Sequence, residues 1–194
     1  MPARVLDNPI VVAVLGLLLE RPAHPYQIFA ELRSRSEHYA AVVNRGTLYN
    51  VVSAIADAGW AVPEGQQRNG NRPEHTVYAL TPEGTAELVR RLDAAIRNPG
   101  REFSAFLGAV SYLGALGPEG AVAALTERAA KLRERADIDA GKLRECHADG
   151  VPRLFVIEAE YALAQAHSEI AWVESVVAEI RSGTLAWPAT QPRK

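Results

Sequence analysis

The stretch Asn44-Arg45-Gly46-Thr47-Leu48-Tyr49-Asn50 gathers side chains whose chemistry is recognition through hydrogen bonds. Asn50 has the amide geometry to read an adenine edge, and the Arg45 guanidinium can reach guanine or a phosphate. Thr47 and Tyr49 suit phosphate oxygens. Gly46 lets the backbone approach a duplex closely, and the free N–H groups at a helix start favour a phosphate. Further along, Arg68, Asn69, Asn71 and Arg72 form a second polar group, with no acid between residues 65 and 73. The two groups together suit the grooves and backbone of a nucleic acid.

Bond-making chemistry finds no comparable support. The sequence has no nucleophile elbow, phosphate-binding loop or metal-ligand cluster, so neither an enzyme nor a cofactor is expected. His24, His38, His75, His147 and His167 show no ligand spacing, and Cys146 is the single cysteine. Cys146 and His147 are neighbours, which a helix points in different directions. One cysteine excludes an internal disulfide and suits a reducing cytoplasm, the expected location.

Composition bounds the rest. Of 194 residues, 48% are hydrophobic and 23% charged, which fits a globular chain with a real core. The formal net charge is -2, so no global positive charge points to nucleic acid and any basic surface is local. Over residues 44–72, Arg45, Arg68 and Arg72 stand against Asp57 and Glu64 alone. The apolar run Ile10 to Leu19 is about half of the roughly 20 residues needed to cross a bilayer, and no membrane association is expected. Asp7 in front and Glu20-Arg21-Pro22 behind also make it a poor signal peptide.

These groups need elements to hold them. Pro9 to Glu20 is apolar nearly all round and reads as a buried first helix. A second starts near Pro25 and buries Ile28, Phe29 and Leu32. Asn44 caps a third, whose inward stripe is Leu48, Val51, Val52 and Ile55 and which stops at Gly59. That stripe turns Gly46, Asn50, Ser53 and Asp57 outward, with Thr47 and Tyr49 on the flanks. Trp60-Ala61-Val62 and Thr76-Val77-Tyr78-Ala79-Leu80 read as strands of a hairpin, and Thr81-Pro82-Glu83 opens a helix to about Arg97. Three helices and a two-stranded hairpin are the plan of a winged helix-turn-helix.

Asn98-Pro99-Gly100 breaks the chain, so the expected domains are 1–98, binding DNA, and 99–194, a helical dimerisation domain that also suits effector sensing. Helices are expected over about 101–115, 118–148 and 152–182. In the last, Val156, Ala159, Leu163, Ala166, Ile170, Val173, Val177 and Ile180 alternate steps of three and four, a coiled-coil seam. Val156, Leu163, Ile170, Val173, Val177 and Ile180 are the candidate dimer contacts. The fold class is thus mainly α, with an N-terminal winged helix and a C-terminal set of long helices.

The first half of the chain resembles the DNA-binding domain of the PadR family of bacterial transcriptional regulators. The likeness rests on Val14-Leu15-Gly16-Leu17-Leu18, Pro22 to Leu32 with Pro25-Tyr26, Gly46-Thr47-Leu48-Tyr49, and Val77 to Gly84. It implies a homodimer, usually a repressor, on a pseudo-palindromic operator of double-stranded DNA, released by a small molecule such as a phenolic acid or a drug. Asn50 to Ala58 lacks the charges common in the family, and Pro73-Glu74-His75 replaces a more basic wing; both bear on base preference and affinity.

Several residues have two readings. Tyr49 serves either as a phosphate contact or as packing beside the second helix, Tyr26 as a phosphate contact or as packing, and Arg68 and Arg72 either grip DNA or solubilise a hairpin tip. Tyr161 and Trp172, eleven residues apart, share a helix face and either line an aromatic-effector pocket or belong to core or interface. Trp187 is expected in a loosely ordered tail. Against the regulator stands one rival from another class, a winged helix acting as a protein-binding adaptor, which the small charge excess favours.

Overall fold

The computed structural model describes residues 5–35, 43–67, 75–100 and 104–187. Its backbone divides into two compact units, Met1–Arg101 and Glu102–Lys194.

In the first unit, helix α1 (Ile10–Glu20) buries Ile10, Val11, Val14, Leu15, Leu17 and Leu18. It is covered on several sides, as its all-round apolarity requires, because it touches the next two helices, the second strand and the fourth helix. Pro9 makes no side-chain cap. The Asn8 Oδ1 does so instead, accepting from the Ile10 N–H at 3.0 Å. Helix α2 (Pro25–Arg35) buries Ile28 and Leu32. His24 caps it: its Nδ1 accepts from the Tyr26 N–H at 3.1 Å, while Gln27 Oε1 accepts from the His24 N–H at 3.0 Å. That is a reciprocal cap built from histidine and glutamine.

Helix α3 (Arg45–Asp57) buries Leu48, Val51, Val52, Ala54 and Ile55, and Asn44 Oδ1 accepts from the Thr47 N–H at 2.8 Å. It ends in a Schellman turn. Gly59 takes φ 76°, its N–H donates to the Ala56 carbonyl, and the Trp60 N–H donates to the Ile55 carbonyl.

Strands β1 (Ala61–Gln67) and β2 (His75–Leu80) pair antiparallel, Ala61 opposite Leu80, with an irregularity between Pro63 and Gly65. The sheet has a third contributor. Ala23 and Tyr78 exchange N–H···O bonds of 3.0 Å in both directions, pinning the start of α2 to the wing. Helix α4 (Pro82–Arg97) is capped by Thr81, whose Oγ1 accepts from the Gly84 N–H at 3.0 Å and donates to the Gly59 carbonyl at 2.8 Å. Gly84 lies flush on Trp60: a Cβ there would fall 2.0 Å from the Trp60 carbonyl oxygen. Only glycine permits that approach.

In the second unit, Ser104 caps the short α5 (Ala105–Val110), and a 3-10 turn over Leu113–Leu116 leads to α6 (Gly117–Ala148). Gly150, at φ 73°, reverses the chain. Pro152 opens a 3-10 turn over Arg153–Phe155, so α7 (Ile157–Ser182) begins five residues later than a proline start predicts. Helices α6 and α7 pack antiparallel, burying Ala121, Leu125 and Ala129 with Val173, Val177 and Ile180. Trp187 belongs to this packing, and the expectation of a loose tail there was wrong: its indole N–H donates to the Gly114 carbonyl at 3.2 Å and its ring lies on the core. No described helix is long and apolar enough to cross a membrane.

Candidate nucleic-acid interface

Burying the Leu48–Ile55 stripe leaves Arg45, Gly46, Tyr49, Asn50, Ser53 and Asp57 of α3 exposed, with Thr47 half-buried. Gly46 has room for a side chain, since a Cβ would meet Asn44 Oδ1 at an ordinary 3.5 Å. Packing inside the unit therefore does not demand glycine at this position. Tyr26 on α2 is 54% exposed and Tyr49 45%, so neither is spent on the core. The Tyr49 ring meets His24 edge-on at 6.5 Å.

The two helices share an aromatic and cationic surface. The Arg45 guanidinium carbon lies 5.6 Å from both the Tyr26 and Phe29 ring centroids, and that of Arg33 lies 5.4 Å from Phe29. Phe29 and Arg33 were absent from the sequence-based set because their part depends on how α2 meets α3. The i, i+3 spacing of Tyr26 and Phe29 was the available signal.

The carboxylates beside this surface are paired with arginines. Arg35 grips Glu20 through two bonds of 2.6 and 2.7 Å and also reaches Glu31, to which Arg21 donates at 2.9 Å. These bonds to Arg35 hold the Glu20 carboxyl below its ordinary range and raise the guanidinium of Arg35. The acids of α1 and α2 are thereby neutralised locally, which a residue count does not show.

The wing residues Arg68, Asn71 and Arg72 lie outside the described residues, and the strands β1 and β2 lead to them. Among the described residues no group of three or more His, Cys, Asp or Glu side chains is placed to hold a metal ion.

In the second unit, Ile170, Val173, Val177 and Ile180 are buried within the chain, Val156 is buried beside the start of α7, and Leu163 is half-buried. Much of the seam thus already has α6 as its partner. Between α5 and α7 lies an open groove of about 600 Å³, lined by Phe106, Leu107, Gln165, Ser168, Glu169 and Trp172 among others. Phe106 and Trp172 meet edge-to-face at 6.0 Å. Arg128 bonds Glu169 at 2.5 Å and lies over the Phe106 ring. Tyr161 does not line the groove, although its hydroxyl accepts from the Gln165 amide at 2.7 Å.

Comparison with known proteins gives a consistent result. Residues 14–90 match the model of the Transcriptional regulator PadR-like family. No curated protein sequence matches the chain. Among solved structures, Bacillus subtilis PadR in complex with operator DNA is similar with a TM-score of 0.76 at 19% identity, over 89% of this chain and 99% of that one. The same protein in complex with p-coumaric acid gives 0.71 at 20% identity, over 89% and 98%. The smu.1604c protein of Streptococcus mutans gives 0.64 at 21% identity, over 87% and 98%. At these identities the structural likeness establishes the fold.

Proposed function

We propose, on the match of residues 14–90 to the Transcriptional regulator PadR-like family, that the chain is a sequence-specific DNA-binding repressor. It acts in the cytoplasm as a homodimer on a pseudo-palindromic operator. The carrying observation is the α2–α3 surface, where Arg45, Tyr49, Asn50 and Ser53 stand exposed above a fully buried stripe. Helix α3 enters the major groove, and Tyr26, Thr47 and the wing residues Arg68, Asn71 and Arg72 hold the backbone. Residues 1–98 bind DNA and 99–194 pair the chains.

Two-fold pairing sets the half-sites about one turn of DNA apart, roughly 34–36 Å. Because α6 covers Val173, Val177 and Ile180, pairing draws on the remaining apolar surface, where Leu163 and Val156 neighbour the exposed Phe155, Ile157 and Tyr161. A small aromatic effector fits the groove beside Trp172, whose volume lies in the usual range for ligand sites. Bacillus subtilis PadR bound to p-coumaric acid supports an effector of this kind.

The test is fluorescence anisotropy of labelled duplexes from the DNA upstream of the encoding gene, against a scrambled duplex, at two salt concentrations. Selective binding that weakens with salt is expected. Equal, feeble binding to every upstream duplex and to a randomised pool would overturn the reading in favour of a protein-binding adaptor.

A further inference from the structure

The first side chain of α3 is not a free cation. Arg45 sits over two rings of α2, Tyr26 and Phe29, at 5.6 Å from each. Those rings are three residues apart and share one face of α2. Phe29 is partly buried against the core of the unit, which fixes its ring, whereas Tyr26 stands more open. Arg33, one turn further along, lies 5.4 Å from the centroid of the same Phe29 ring.

The kind of DNA contact decides whether such a shelf matters. Neutralising a phosphate needs a positive charge nearby, and a loosely held lysine or arginine supplies it. Reading the two acceptors of a guanine edge needs the guanidinium fork to arrive in the plane of the base. Aromatic faces on which a guanidinium stacks restrict that plane. Asn44 adds to the definition, because its cap sets the backbone of the turn from which Arg45 projects.

Resting on the DNA-binding reading above, we infer that Arg45 reads a guanine edge in each half-site and that Phe29 is the positioning residue that orients its guanidinium. Phe29 touches no DNA in this arrangement and acts only through Arg45.

The experiment starts from the duplex that the wild-type chain enriches from a randomised pool. Affinities for it, and for versions substituted one base pair at a time, are measured across a salt series for the wild type and for Phe29→Leu, Arg45→Lys and Arg45→Ala. Arg45→Lys and Phe29→Leu are expected to lose about tenfold preference for a single guanine, keep preference at the other positions, and keep the wild-type slope of log affinity against log salt. Arg45→Ala loses the same preference. Arg45→Lys tests the guanine contact, because it preserves charge and removes the planar fork; should Phe29→Leu fail to fold, Phe29→Met tests the ring in its place, and a Phe29 variant that keeps the guanine preference removes the positioning role.

The inference is overturned if Arg45→Lys and Phe29→Leu leave base preference intact at every position while Arg45→Ala weakens all duplexes alike and lowers the salt slope by about one. That pattern describes a phosphate contact and leaves the DNA-binding reading standing. A wild type that enriches no duplex removes both.

Discussion

The two units bury their apolar residues to different depths. In the first, Val11, Val14, Leu15, Ile28, Leu48, Val51, Val52 and Ile55 are all sealed from solvent, drawn from three helices that close around one another. In the second, Val173 is the one large side chain sealed to that degree among the described residues. The remaining packing there relies on alanines and half-covered side chains, and Tyr112, Leu154, Phe155 and Tyr161 stand between 65% and 80% exposed. Small residues let α6 and α7 approach closely but remove little apolar area from water. The first unit thus has a sealed core, although Val89, Leu92 and Ile96 of α4 stay exposed outside it. The second exposes apolar surface over a core sealed less deeply.

The sharpest way to break this contrast is to disturb the sealed core of the first unit. Leu48→Ala is expected to cost about 3 kcal/mol, because a sealed site cannot collapse around the missing atoms. Thermal or urea unfolding of the variant measures it, and a loss under about 1 kcal/mol would show a looser first unit than described. Gly84→Ala comes next, at about 2 kcal/mol, since its methyl must displace the Trp60 carbonyl and with it the junction of α3, the wing and α4. Its melting temperature should fall while a substitution to alanine at the open Gly16 leaves the helix packing unobstructed.

A third variant addresses the uncovered surface. Phe155→Ser with Tyr161→Ser is expected to change folding stability by under about 0.5 kcal/mol per chain, as exposed positions do, yet to shift the chain from dimer to monomer in sedimentation. A dimeric variant would rule out this surface for pairing, and a monomeric wild type would rule out the proposed dimer. The smallest effect concerns pH. Bonds from Arg90 and Arg91 hold Glu87 at about 2, below its ordinary 4.5. A carboxylate depressed in the folded state stabilises fully above the unfolded value and loses that contribution as pH falls through the folded one. Wild type should therefore lose stability between about pH 4.5 and 2 relative to Glu87→Gln, and parallel acid titrations of the two would refute it.

What could be read from the residues follows the range of the interaction involved. The caps at Asn44 and Thr81 and the stop at Gly59 depend on neighbours within a few positions, and residue type alone marks them. The inward stripe of α3 follows from helical period. The exchange between Ala23 and Tyr78 joins residues far apart in the chain and leaves no local pattern, so the breaker cluster around Pro22 hid a strand-like residue. Pro152 misled for a different reason, because proline suits the start of a 3-10 turn as well as of an α-helix. The seam of α7 was visible as a period, but a period does not say which helix fills it. The shelf under Arg45 needs the crossing of α2 and α3, which no spacing within either helix contains.

The joint at Thr81 and Gly84 also has a mechanical side. Thr81 holds the Gly59 carbonyl and Gly84 abuts that of Trp60, so the first turn of α4 is clamped to the tail of α3. Further along, Leu88 packs into the core and the Arg91 guanidinium donates to the Leu6 carbonyl at 2.7 Å. The 16-residue helix, about 24 Å long, is thus held at its start and again past its middle. A displacement of its Arg97 end cannot stay local: it is passed to α1 and to α3, the helix that carries Arg45 and Asn50.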